Sequence, residues 1–301
     1  MKNQVTRRRF LLSSAAAGAA SMVPCFSLTP SDDQKQEDSL TLNKTPLKIG
    51  LMTYLLGSKW DIETIIKNCT ETGFQSVELR TTHAHGVEVT LTPSQRAEVK
   101  KRFKDSPLET ISLASAFQYH STDPAELKKN IEGTKEYVLL ARDVGATGFR
   151  VFPNAVPEGG AKEKTLEQIG KALAEVGSYA NNNGVEVRVC VHGQGTNSVA
   201  VIKKIIDYSQ SPYVYVNWNC EALDSAGKGL EYNFNSVKDR IKGVHMHDLH
   251  DPSYPYRHFF KLLSDSGFKG YCNAEVSRVS CEAVEFMKCY KGLFLALQNV
   301  I

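Results

Sequence analysis

Two histidines spaced two residues apart, His245 and His247, sit in the run Gly243-Val244-His245-Met246-His247-Asp248-Leu249. Val244 and Met246 alternate with them. The pattern reads as a buried strand that turns both imidazoles to one face. Asp248 then opens a polar loop running from His250 to Pro255. Imidazole binds divalent metals and exchanges protons near neutral pH. Two of them beside a carboxylate are therefore what a metal or proton-transfer site at a strand's C-terminal end requires.

Other short apolar runs end in chemistry-bearing residues of the same kind. Read with period 2, their ends carry Glu78 and Arg80, then Arg150, then Arg188 with Cys190 and His192. Asn217 and Asn219 follow, and last come Asn273 and Glu275. His120 lies in the loop after the third run, and Arg257 in the helix after the seventh.

The elements that must position these groups repeat along the chain. From Leu47, apolar runs near Lys48–Tyr54, Phe74–Arg80, Glu109–Ala114, Thr147–Phe152, Val185–Val191, Tyr213–Trp218, Lys242–His247 and Tyr271–Val276 alternate with segments of helical periodicity. Thr92-Pro93-Ser94-Gln95 and Asp123-Pro124-Ala125-Glu126 carry N-cap signatures, and Gly73 and Gly145 close helices. Eight strand–helix units predict a closed parallel barrel, the (β/α)8 TIM barrel of the α/β class. An open doubly wound sheet is disfavoured because no Gly-x-Gly-x-x-Gly follows the first strand. In such a barrel the strand ends converge on one face. Charged groups there need partners or ligands to offset desolvation. Arg80, Arg150 and Arg188 against Glu78 and Glu275 leave an excess of guanidinium, which suits an anionic ligand held by forked hydrogen bonds.

The order of these motifs on successive strands resembles the xylose isomerase-like TIM barrels. That superfamily holds sugar-phosphate isomerases and epimerases and the AP endonuclease family 2. The likeness rests on Val77-Glu78-Leu79, Arg150-Val151-Phe152-Pro153, Val191-His192-Gly193, His245-x-x-Asp248 and Asn273-Ala274-Glu275. It covers the chain from about Leu47 to Ile301. The resemblance implies a divalent metal held by a Glu two residues before the strand-five His, an Asp ending strand six, a His on strand seven and a Glu on strand eight. His245 and Glu275 match the last two. Cys190 and Asn219 stand at the first two, and Ala222 replaces a further His. A hard Mg²⁺ or Mn²⁺ ion wants carboxylates. The expectation is thus one divalent metal (Zn or Mn) at His245, Glu275, Cys190 and Asn219 in a degraded cage, or none.

The implied activity is isomerisation or epimerisation of a sugar or sugar acid by proton transfer next to a carbonyl. Glu275, Glu78, His245 and His247 are the candidate catalytic groups. His120, Arg80, Arg150, Arg188, His192 and Arg257 are the candidate substrate contacts. The alternative is a non-catalytic barrel that binds an anionic sugar. A nuclease is disfavoured, because its three-metal cluster needs carboxylates that this chain lacks.

The first residues read differently. Thr6-Arg7-Arg8-Arg9-Phe10-Leu11-Leu12, with an apolar stretch to about Ala20, is a twin-arginine export signal. It predicts a signal peptide over 1–30, a polar linker over 31–46 and a periplasmic product. Met22-Val23-Pro24 is a poor lipobox, so anchoring at Cys25 is not expected. No apolar run in the body is long enough to span a membrane. A net charge of +3 gives no reason to expect a nucleic-acid partner. The seven cysteines have no CxxC spacing and predict neither a disulfide framework nor a zinc finger.

Overall fold

The computed structural model describes residues 45–156, 162–276 and 281–299. The expected export signal, and the expected linker up to residue 44, fall outside these residues. The unit from Asn43 to Ile301 is a closed barrel in which each strand pairs with the next and the eighth pairs with the first. All pairings are parallel.

The strands are β1 (Lys48–Met52), β2 (Ser76–Arg80), β3 (Thr110–Ala114), β4 (Gly148–Val151), β5 (Glu186–Cys190), β6 (Val214–Asn219), β7 (Ile241–Met246) and β8 (Tyr271–Ala274). The helices are α1 (Ile62–Thr72), α2 (Pro93–Lys104), α3 (Pro124–Val144), α4 (Lys162–Asn182), α5 (Val199–Ser209), α6 (Leu230–Val237), α7 (Tyr256–Asp265) and α8 (Ala283–Leu297). The (β/α)8 barrel expected from the periodicity is the observed fold, with boundaries shifted by a few residues.

Local chemistry explains the boundaries. The side chains of Asp61, Thr92 and Asp123 each accept a backbone N–H at the start of α1, α2 and α3. Thr92 and Gln95 form the reciprocal capping box, and Gly73 and Gly145 end α1 and α3 with left-handed backbone. The apolar core lies between strands and helices. Outward-facing Val77, Leu79, Ile111, Leu113, Phe149, Val187 and Val189 pack there with helix residues such as Ile65, Val138 and Leu173. Burying each such side chain contributes on the order of 2 kcal/mol.

The barrel interior departs from the usual filling of Val, Ile and Leu. Ser76, Glu78, Ser112, Arg150, Arg188, Asn217, His245 and Asn273 are all buried. Glycine makes room for them. A Cβ on Gly50 would lie 2.1 Å from the Asn273 and Ser76 oxygens, and one on Gly148 would lie 2.4 Å from the Arg188 guanidinium carbon. Among the described residues, no helix is long and apolar enough to cross a membrane.

Candidate active site

The strand register gathers three of the expected residues into one line. His245, on β7, is 1% exposed, and Glu78, on β2, is fully buried. The ring of His245 donates from Nε2 to Glu78 Oε1 at 2.8 Å and from Nδ1 to Glu275 Oε2 at 3.1 Å. Burial would drive the proton off His245, but Glu78 and Glu275 outweigh it and hold the imidazole charged well above its ordinary range. The carboxylates are held in turn. Burial alone would raise Glu275, yet His245, Arg150 and His247 pull it down to about 2. Glu78 is likewise lowered against its burial by His245, Arg150 and Arg188. Below the line, Ser112 Oγ and Asn273 Nδ2 donate to Glu78 Oε2 at 3.2 and 3.5 Å.

Above the line is a cavity of about 210 Å³ at the C-terminal ends of the strands. His245 and Glu275 reach it, with Cys190, Asn219, His192, Arg80 and Arg150 around them and Tyr54 and Phe152 as aromatic walls. Arg150 is 2% exposed. Its Nη1 donates to the Ser115 carbonyl at 2.6 Å, and its guanidinium lies 4.0 Å from the Phe152 ring centre. Its Nε is 4.0 Å from Glu78 Oε1 and has no hydrogen-bond acceptor. His192 packs on Phe152 at 4.4 Å. Asn154 gives its amide N–H to Gln118, so its oxygen accepts from His192 Nδ1 at 2.9 Å and leaves Nε2 as an acceptor. Burial, helped by Arg150 and His245, lowers the His192 pKa and keeps the ring neutral at pH 7.

Residues 66–289 match the profile of the xylose isomerase-like TIM barrel. The chain belongs to that family. No curated protein matches it. Solved structures share the fold at low identity. An L-ribulose 3-epimerase superposes with a TM-score of 0.70 at 15% identity, covering 84% of this chain and 96% of its own. A 3-keto-D-glucoside 4-epimerase from E. coli gives 0.69 at 14%, covering 82% and 98%. The IOLI protein with a binding zinc atom also gives 0.69 at 14%, covering 83% and 98%.

The donor set of this xylose isomerase-like barrel does not fit the metal cage that the resemblance implies. Asn219 Nδ2 donates to Glu221 at 2.7 Å, and its Oδ1, a neutral donor, is buried without a partner. Cys190 is a thiol that accepts from Asn217 at 3.9 Å. Both nitrogens of His245 are taken by carboxylates. Among the described residues, no group of three or more His, Cys, Asp or Glu is placed to hold a metal ion. A strongly hydrated cation needs anionic oxygens where this chain has sulfur and amide.

The other expected residues lie apart. Arg188 was expected on the C-terminal rim, but it points to the opposite end. Its Nε and Nη2 donate to Glu186 Oε2 at 3.1 and 2.6 Å, beside a separate cavity of about 540 Å³ at the N-terminal ends of the strands. Gly148 leaves the space, and Glu186, two residues earlier on the same strand, supplies the charge that draws it down. That cavity is the larger and has charged walls of its own, including Glu109, Glu186 and Lys242, but the buried His245 with its two carboxylates is at the other end. His247 lies past the end of β7. Its Nδ1 donates to the Glu275 carbonyl at 3.3 Å, so it braces the exit of β8 and does not line the cavity. Arg257 is exposed on α7 and donates to Ala296 O and Asn299. His120 also lies off the cavity, and its Nδ1 is buried without a partner.

Sequence reasoning missed Tyr54 and Phe152, although both follow directly on apolar strands, where period 2 could have found them. It also missed a buried cluster behind β6. Tyr254 donates to Asp224 Oδ2 at 2.8 Å and accepts from Trp218 at 3.0 Å, and burial raises the Asp224 carboxyl to about 7. No local signal marks it, because its members come from three separate segments.

Proposed function

We propose that this protein is a sugar isomerase or epimerase-like enzyme that moves a proton at a carbon next to a carbonyl, on a sugar or sugar acid. One observation carries the reading. A carboxylate, an imidazolium and the Arg150 guanidinium converge on one cavity of about 210 Å³, which is the set that enolisation requires. Paired with His245, Glu275 is a weak base, because the imidazolium stabilises its charge. A substrate oxygen that takes the Nδ1–H of His245 removes that stabilisation. Glu275 then binds protons more readily and accepts the one on the adjacent carbon. His245 is the acid toward the oxygen, and Arg150 faces the negative charge that develops on the enediolate. Glu78 keeps His245 charged and oriented from below. No step requires a metal.

The neighbours named as sugar epimerases support the class of chemistry, and the twin-arginine sequence supports export to the periplasm. The second reading, a barrel that binds a sugar without turnover, is favoured by Cys190 and Asn219 at the family's ligand positions. Incubation with ketoses in D₂O separates the two. Turnover introduces deuterium beside the carbonyl, and Glu275→Gln stops it. Binding without deuterium uptake in any sugar would leave only the second reading.

A further inference from the structure

Among the described residues lining the cavity, cations outnumber carboxylates. Arg80, Arg150 and the His245 imidazolium face Glu275 across it, with Glu78 beneath. Three cations stand against two carboxylates. Arg150 and His245 are accounted for by Glu78 and Glu275, but Arg80 is not. Among the described residues its Nη1 donates to its neighbour Thr81, at 3.0 Å to the carbonyl and 2.5 Å to the hydroxyl. Among the described residues it makes no ion pair. The carboxylate close enough to influence it, Glu88, is occupied, accepting from the Thr82 N–H and the Tyr137 hydroxyl. A guanidinium cannot relieve this by losing its proton. Partial burial and the nearby Arg150 charge both act against it.

An aromatic wall lies beside it. Tyr54 is 41% exposed, and its ring stacks on His83 at 6.2 Å and 9°. That pairing offers a flat apolar face to the C–H side of a carbohydrate, next to a cation. We infer that Arg80, with Arg150 behind it, holds an anionic group of the substrate, so that this barrel takes a sugar carrying a carboxylate or phosphate in preference to a neutral sugar. The inference rests on the proton-transfer reading of the same cavity and adds the substrate's charge to it. Arg80 is a specificity-determining residue whose forked donors match either oxyanion.

The test uses the full chain and three ketoses of one carbon skeleton: D-fructose, D-fructuronate and D-fructose 6-phosphate. Calorimetry is expected to show at least about tenfold tighter binding of one anionic sugar over fructose, weakening as salt is raised. Whether fructuronate or fructose 6-phosphate binds identifies carboxylate or phosphate. Arg80→Met should weaken the preferred anionic sugar at least about tenfold, removing the preference, and Arg80→Lys, which keeps charge and bulk, should retain part of it. Equal affinity for all three sugars, or a uniform loss in Arg80→Met with Arg80→Lys unaffected, overturns the inference. Deuterium uptake from D₂O is followed on the same samples. Anion preference without uptake supports the inference and overturns the proton-transfer reading. Uptake into fructose with no anion preference does the reverse.

Discussion

Arg150 and Arg188 are Cα partners on adjacent strands, both buried and both inside the barrel. One guanidinium turns to the C-terminal end and the other to the N-terminal end. Arg188 is clasped by Glu186, with Lys242 on the other carboxylate oxygen at 3.5 Å, so its end is a closed ion-pair arrangement. Arg150 has a more distant carboxylate at 4.0 Å, a backbone carbonyl and an unused Nε. The same residue type at the same level of the same barrel is thus structural at one end and chemically available at the other. Local partners decide which, because a buried charge takes the orientation in which it is paired at least cost.

The largest expected effect lies at the C-terminal end. Glu275→Gln should cut deuterium uptake by roughly a thousandfold or more while the far-UV spectrum is unchanged, since it removes the base and keeps the shape. Retained exchange would move the chemistry to another group. Arg150→Met is expected to lower kcat by about a hundredfold, on the scale of a lost oxyanion donor. Arg188→Met should leave kcat within about twofold and instead destabilise the fold by about 2 kcal/mol, the usual worth of a charged hydrogen bond. A melting temperature a few degrees lower is the readout. If the two variants exchange behaviours, the assignment of the barrel's ends is wrong.

Metal binding sharpens the comparison further. The double variant Cys190→Glu with Asn219→Asp restores two hard anions at the C-terminal end and should acquire Mn²⁺ binding by calorimetry, where the parent shows none at micromolar concentration. Micromolar binding by the parent would restore the family's metal-dependent route.

The smallest effect is in pH dependence. Burial raises Asp224 from 3.8 to about 7. The folded carboxyl therefore keeps its proton where the unfolded one has lost it. Its contribution to stability is complete below about pH 4 and declines as pH rises toward 7. Asp224→Asn should flatten the melting temperature between those limits by a few degrees. Glu275 has the opposite sign. Its folded value of about 2 gives stability that is present above the ordinary 4.5 and lost as pH falls through about 2. An unchanged slope in Asp224→Asn would show that other groups set it.

Much of this architecture was legible in the residues. Alternation of Val, Ile and Leu with turn signals located eight strands, and capping residues such as Thr92 and Asp123 placed helix starts, because these are short-range effects of backbone geometry and hydrogen bonding. Period 2 also gave the inward face correctly for Glu78, Arg150, Arg188 and His245. It could not say toward which end of the barrel a long side chain would bend. That depends on Glu186 beside Arg188, on the space left by Gly148 on the neighbouring β4 and on Ser115, just past the end of β3, behind Arg150. His245 illustrates the same division. Its strand and face follow from Val244 and Met246 beside it. Its charge follows from Glu78 and Glu275, which lie 167 and 30 residues away in the chain and reach it only when the barrel closes. Sequence periodicity determined the scaffold because the forces that set it act between near neighbours. Tertiary closure decided the chemistry because electrostatic pairing depends on distance in space, and the pattern along the chain does not encode that distance.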